Sequence, residues 1–284
     1  MSVTLPSTGR WDAFREDLAK APAFLRRDLI SLFSYRIAYL TDWINIVVQV
    51  FLFYFVSMLV PPDRLPTYGG EQVSYLEYVA VALTLTSFVQ AGLGRLIAAI
   101  RNEQLMGTLE SLMVAPMSPE MLQFGSMVYD LIYVPLRTAI FLILVSVLFG
   151  VQFNVAGLVP TSVIFVFFMP FMWGLGILSA AAVLTFKRGA GVVGIVGTVL
   201  TFTSGAYFPI SYLPPWLQWV AEWNPITVAV EASRQALLAT ITWAEVGEAV
   251  ALIVPFSIAS LAAGVVAFRL AMRRERRRGT MSLY

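Results

Sequence analysis

Cysteine and histidine are both missing from the 284 residues, and charged residues make up only 13% of them. Without cysteine there are no disulfides, thiolate metal sites or thiol nucleophiles. Without histidine as well, zinc sites, Ser-His-Asp triads and imidazole acid–base chemistry cannot be assembled, so carboxylates, Lys, Tyr, Ser and Thr are the reactive groups left. No Gly-x4-Gly-Lys-Ser/Thr run occurs, so the chain has no phosphate-binding loop. A net charge of +2 gives no bulk pull toward nucleic acid. An ordinary soluble domain carries about 25% charged residues. Here 58% of residues are hydrophobic and the mean hydropathy is +0.77, more apolar surface than one core can hide. Lipid must solvate much of it.

Six apolar stretches are long enough to cross about 30 Å of hydrocarbon, which takes roughly 20 helical residues. They fall near 38–60, 76–100, 127–150, 157–185, 190–208 and 247–270. The fourth contains Pro170 and Gly174, which predict a tilt or kink, and the fifth is short. The first 36 residues hold six basic residues and no long apolar run, so no cleavable signal peptide is expected and the first span directs insertion. Basic residues set the orientation. Sixteen of the nineteen lie in the N-terminal segment, the tail and the loops at Arg95 and Arg101 and at Lys187 and Arg188. Arg64 and Arg234 lie on the other side, and Arg137 falls inside the third span. Both termini are therefore expected in the cytoplasm, with the chain multi-pass in the plasma membrane.

Three segments are more than simple spans. From Pro22, the residues Leu25, Leu29, Leu32 and Phe33 share one helical face with Arg26, Arg27 and Asp28 between them, the pattern of an interfacial amphipathic helix. After the second span, Leu105, Met106, Leu109, Leu112 and Met113 form one stripe while Glu103, Gly107 and Glu110 cluster opposite, a two-faced helix over 103–114 that Pro116 stops. A turn between spans needs only a few residues, so this helix reads as a rigid contact element. The loop from Pro209 to Glu248 begins with an apolar stretch too broken by proline to span, in which Trp216, Trp219 and Trp223 share a helical face. That composition suits the headgroup layer and predicts a re-entrant or interfacial helix pair over the bundle interior or the mouth of a pathway.

Individual residues carry further expectations. Arg137 sits near the middle of the third span, with Asp130 seven residues earlier on the same face. A central arginine costs about 2.5–3.5 kcal/mol on insertion scales, so it should face the bundle interior, lining a pathway or a seam between subunits or serving structure. Asp42, Asn45 and Glu77 read as interfacial, and Glu231 with Arg234 as a local surface pair of little energetic weight. Gly189-Ala190-Gly191-Val192-Val193-Gly194 matches a dinucleotide fingerprint in letters, but it opens an apolar span without a preceding strand, so it reads as close helix packing. Tyr207, Phe208, Tyr212, Trp216 and Trp219 are the candidates for an external gate.

The order of these elements resembles the membrane subunits of ATP-binding-cassette exporters of the type-2 permease family. The resemblance rests on Arg27-Asp28-Leu29 in the interfacial helix and on Glu103-x3-Gly107-Thr108-Leu109-Glu110-x-Leu112-x3-Pro116. It rests also on Leu213-Pro214-x-Trp216-Leu217 followed by Asn224-Pro225-Ile226-Thr227 and Glu231-x2-Arg234. It implies an all-α, polytopic subunit with six transmembrane helices, dimeric with itself or a related permease. Separate ATPase subunits would bind ATP and magnesium, so no cofactor, metal or catalytic residue is expected in this chain. The helix at 103–114, with Glu103, Leu105, Met106, Gly107, Thr108, Leu109, Glu110, Leu112 and Met113, would be the coupling helix seated on the ATPase. The cargo would be an amphipathic drug, lipid or lipid-linked glycan. The tail departs from the family in being strongly basic, which fits either anionic lipid or the ATPase, lipid being the simpler reading.

One transmembrane domain over 1–284 is thus expected: a cytoplasmic segment at 1–36, spans one to five over 37–208, an external region at 209–246, span six at 247–270 and a basic tail at 271–284. Competing classes are an ATP-independent channel or secondary transporter, which would want ionisable residues inside several spans, and a membrane enzyme, which the missing histidine and cysteine disfavour.

Overall fold

The structure is a computed structural model and describes residues 36–106, 135–186 and 189–278. The interfacial helix expected from Pro22, residues 107–114 of the coupling segment, Asp130 and the pair Lys187 and Arg188 lie outside the described residues. Eight α-helices carry the described fold: α1 (Arg36–Ser57), α2 (Tyr75–Met106), α3 (Pro135–Phe149), α4 (Leu158–Thr185), α5 (Gly189–Thr203), α6 (Pro215–Glu222), α7 (Pro225–Leu238) and α8 (Trp243–Arg278). A two-stranded antiparallel hairpin, β1 (Thr67–Tyr68) and β2 (Glu71–Gln72), sits between α1 and α2.

Helices coincide with all six expected spans. Two of them, over Val155–Thr185 and Trp243–Arg274, are long and apolar enough to cross a membrane, and shorter apolar helices occupy the other four positions. Boundaries differ where local chemistry overrides hydropathy. The fifth helix ends at Thr203 rather than near 208, because Gly205 takes φ of +69° and turns the backbone, so Tyr207 and Phe208 lie in the turn. Span six does not stop near 270: α8 continues to Arg278, so the first part of the basic tail is helical. α4 crosses Pro170 without a break in its helical assignment.

Helix starts are fixed by caps. Ser74 and Glu77 form a capping box ahead of α2, the Glu77 carboxylate accepting from the Ser74 N–H at 2.6 Å and the Ser74 hydroxyl from the Glu77 N–H at 3.3 Å. Thr242 and Glu245 repeat the device at α8, with the Glu245 carboxylate at 2.7 Å from the Thr242 N–H. That backbone bond, then the threonine hydroxyl, holds the Glu245 carboxyl below its ordinary pKa. Glu77 therefore has a defined role as a helix cap.

α4 is the enclosed centre, with 61% of its apolar window buried against 28% for α8. It packs most extensively on α8 and next on α2. Glycines permit the close approaches: a Cβ on Gly174 would land on the α8 backbone at Ser260 and Leu261, and one on Gly176 would lie 2.6 Å from the Gly92 carbonyl of α2. At the same crossing Ser257 and Ser260 donate to the Phe167 and Phe171 carbonyls at 3.0 and 3.1 Å, joining the helices by hydrogen bonds that need no apolar contact. A second cluster joins α1, α2 and α3 through Ile46, Val50, Val79, Leu83, Leu142 and Val145. Outward faces are apolar: Phe55, Ile143, Val147, Ile195, Ile258 and Leu270 are each at least 59% exposed. In water such faces would aggregate; in lipid they are solvated.

Candidate functional site: the buried arginine and the end of the fifth helix

The short helix α7 is buried over Ile226, Ala229, Val230, Ser233, Ala236 and Leu237, while the Glu231 side chain is 44% exposed. Its start is Asn224 followed by Pro225. The Asn224 Oδ1 accepts from the Ile226 N–H at 3.0 Å as an N-cap, and proline at the first helical position gives up no hydrogen bond. The same side chain reaches across to α5: its Nδ2 donates to the Leu200 carbonyl at 2.8 Å and to Thr203 Oγ1 at 3.1 Å. Replacing Asn224, which is 3% exposed, by alanine should therefore exceed an ordinary cap loss and destabilise by about 2 kcal/mol, the top of the capping range. Thermal unfolding of the purified chain would measure it.

Arg234 lies one turn from the end of α7 and is 1% exposed. This corrects the expectation of a surface pair. Its Nε donates to the Tyr78 carbonyl at 3.0 Å and its Nη2 to the Gly205 and Ala206 carbonyls at 2.9 and 3.1 Å. The guanidinium carbon lies 3.5 Å from the centre of the Tyr78 ring, a cation–π contact. Glu231 stands 3.6 Å from Nη1 and also accepts from the Tyr68 hydroxyl of β1 at 3.0 Å. Burial raises the Tyr68 pKa, against the pull of Arg234, so the phenol remains a donor at any ordinary pH.

Apart from the Tyr78 carbonyl of α2, the backbone carbonyls that accept from the Asn224, Arg234, Tyr75 and Tyr78 side chains lie at and just beyond the C-terminal end of α5. Leu200 is taken by Asn224, Gly205 by Arg234 and by the Tyr78 hydroxyl at 2.8 Å, Ala206 by Arg234, and Tyr207 by the Tyr75 hydroxyl at 2.9 Å. A helix C-terminus carries unsatisfied carbonyls and partial negative charge. Here side chains from α2 and α7 satisfy them, with a full positive charge at the centre. The result fastens the start of α2, the end of α5 and α7 to one another.

The gate candidates separate around this knot. Tyr207 is half-buried and stacks on Phe53 of α1 at 6.0 Å, and Phe208 packs edge-on against Phe202 at 4.9 Å. Tyr212, Trp216 and Trp219 are 61–68% exposed, with Trp223 beside them at 61%. The tryptophans thus lie on the outward face of α6, whose Ala221 is buried. Tyr212 also donates to the Arg64 carbonyl at 3.0 Å. Arg137 is half-buried on α3. Glu103, Leu105 and Met106 fall in the last described turn of α2, while Gly107, Thr108, Leu109, Glu110, Leu112 and Met113 lie outside the described residues. Among the described residues no cluster of His, Cys, Asp and Glu could hold a metal ion.

Asn224-Pro225 and Glu231-x2-Arg234 stand out in the sequence, but the burial of Arg234 and the two capping boxes were missed there. Ser74-x2-Glu77 and Thr242-x2-Glu245 before apolar runs are the signals that would have found the boxes. For Arg234 the signal is its setting among Ala229, Ala232, Ser233 and Ala236, a helix without a charged face.

Two helices long and apolar enough to cross a membrane, shorter apolar helices at the other four expected positions and apolar outward faces support a mostly helical membrane protein. The chain belongs to the ABC-2 type transporter family, whose model matches residues 23–238. It is a membrane permease of the ABC type, a class in which ATPase activity resides in partner subunits. Comparison with curated proteins returns no match.

Proposed function

We propose that the chain forms the translocation pathway of an ATP-driven exporter of an amphipathic drug, lipid or lipid-linked glycan, as a dimer with itself or a related permease. The observation that carries this reading is the continuity of α2. It runs as one helix of 32 residues, about 48 Å long, from the Arg234 knot to Met106, where the two-faced segment 103–114 begins. A rigid rod of that kind transmits displacement. Movement of the segment 103–114 by closing ATPase subunits would reach the turn carrying Tyr207 and Phe208, because Tyr75 and Tyr78 at the other end of α2 are bonded to that turn. All six apolar helices act as spans in this account. The knot lies on the external side, the basic loops and both termini lie in the cytoplasm, and the tryptophans of α6 sit at the external headgroup level.

The absence of cysteine makes the arrangement directly testable, since any introduced cysteine is unique. In sealed cells a membrane-impermeant maleimide should label Trp216→Cys and leave Ser118→Cys unlabelled until the membrane is opened. The reverse pattern would invert the topology and with it the export direction. A photo-activatable cross-linker on Leu112→Cys should capture an ATPase subunit. Capture of lipid alone would detach the segment from any coupling role.

A further inference from the structure

We infer that the last three turns of α8 form a lateral binding surface for anionic lipid headgroups. α8 has 36 residues, about 54 Å, well beyond the hydrocarbon thickness of about 30 Å, so one end must stand in or past the headgroup layer. Near that end Phe268, Ala271 and Met272 are buried against Ile177, Ala180 and Ala181 of α4. At 100° per residue these three occupy one arc of roughly 100°, the protein-facing side of the helix.

The arginines fall on the other side. By helical register Arg269, Arg273 and Arg274 occupy an arc of about 140° centred opposite the α4 seam. Arg269, Arg273 and Arg274 are exposed. The same outward face carries Leu252, Ile258, Val266 and Leu270 farther up the helix, exposed by 57–64%. The outward stripe is therefore apolar for the length of the span and becomes cationic where the helix leaves it. A side chain on that stripe meets acyl chains first and headgroups next, and guanidinium groups there pair with phosphate in forked geometry. Charge on the face turned away from α4 is placed for lipid beside the bundle. An ATPase seated beneath the bundle would call for charge at its base.

Each arginine within reach of an anionic surface strengthens the attraction about fivefold, and salt screens it. The inference needs α8 to span a membrane but not ATP-driven export, so the test uses the full-length chain alone. The chain would be placed in nanodiscs of phosphatidylcholine, and of equal parts phosphatidylcholine and phosphatidylglycerol. The wild type should unfold at a higher temperature in the anionic discs, by a margin that shrinks with added salt. Arg273→Gln/Arg274→Gln should lose most of that margin while keeping its midpoint in neutral discs, and the double lysine variant should retain it. A glutamine variant with the wild-type margin would overturn the inference, because the charge response would then belong to other basic segments. An equal loss in both lipids would also overturn it, assigning the arginines to contacts within the protein or with a second copy. If the glutamine variant does not fold, the single Arg273→Gln decides in the same way through a reduced or unchanged margin.

Discussion

Replacing Arg234 with leucine is expected to remove most of the folded protein from the membrane. The substitution takes the donor from the Ala206 carbonyl, strips one of two donors from the Gly205 carbonyl and leaves Glu231 beside an uncompensated site. Each buried carbonyl left short of a donor costs about 1–3 kcal/mol, and losing the packing of a side chain that is 1% exposed adds to it, together a large share of the roughly 5–15 kcal/mol that holds a typical domain together. Lysine should recover only part of the loss, because a single ammonium cannot reach the carbonyls of Tyr78, Gly205 and Ala206 in the arginine fork while lying over the Tyr78 ring. The yield of monodisperse protein and its unfolding midpoint in detergent are the measurements. A wild-type midpoint for Arg234→Leu would show that the end of α5 is held by packing alone.

The second large effect belongs to the α4–α8 crossing. Gly174→Ala adds one methyl group where the α8 backbone at Ser260 and Leu261 already stands, and backbone cannot rotate away as a side chain can. The helices must separate, weakening the hydrogen bonds of Ser257 and Ser260 to α4. Overpacking in close-packed interiors costs typically 1–3 kcal/mol, and this site should fall at about 3 kcal/mol or above. Gly194→Ala on α5 is the matched control: nothing lies within 4 Å of the added carbon. The exchange should be neutral or gain up to about 1 kcal/mol from helix propensity. Similar midpoints for the two variants would refute close backbone approach at this crossing.

Hydropathy made the helical positions legible, because twenty apolar residues in a row leave the chain few alternatives. The start of α7 entered the sequence reading only through the family resemblance, although Asn224-Pro225 is a cap and a first-turn proline in adjacent letters. The shared face of Trp216, Trp219 and Trp223 was read from their spacing, but that this face is exposed was not. Two helix ends were not legible. The apolar run of the fifth helix continues through Tyr207 and Phe208, and only the positive φ of Gly205 reveals the turn before them. Composition changes sharply near Met272, yet helical backbone continues, because arginine and glutamate are good helix formers. The arginine knot was hidden for a different reason: the Tyr78 carbonyl that receives Arg234 lies 156 residues away in sequence. A charged pair at i, i+3 looks alike on a surface and in a core until the neighbours are known. Close approach of Gly174 to α8 is equally a property of two distant segments.

Under the proposed function, segment 103–114 couples this permease to an ATPase. ATPase activity of the co-purified complex in lipid nanodiscs tests it most directly, comparing the wild type with Leu109→Asp and Glu110→Arg. The account predicts that an ATPase subunit co-purifies with the wild type, and that each substitution releases the subunit or leaves hydrolysis no longer tied to transport. Purification of the chain without any ATPase, together with substitutions that change nothing, would contradict it and favour an ATP-independent transporter.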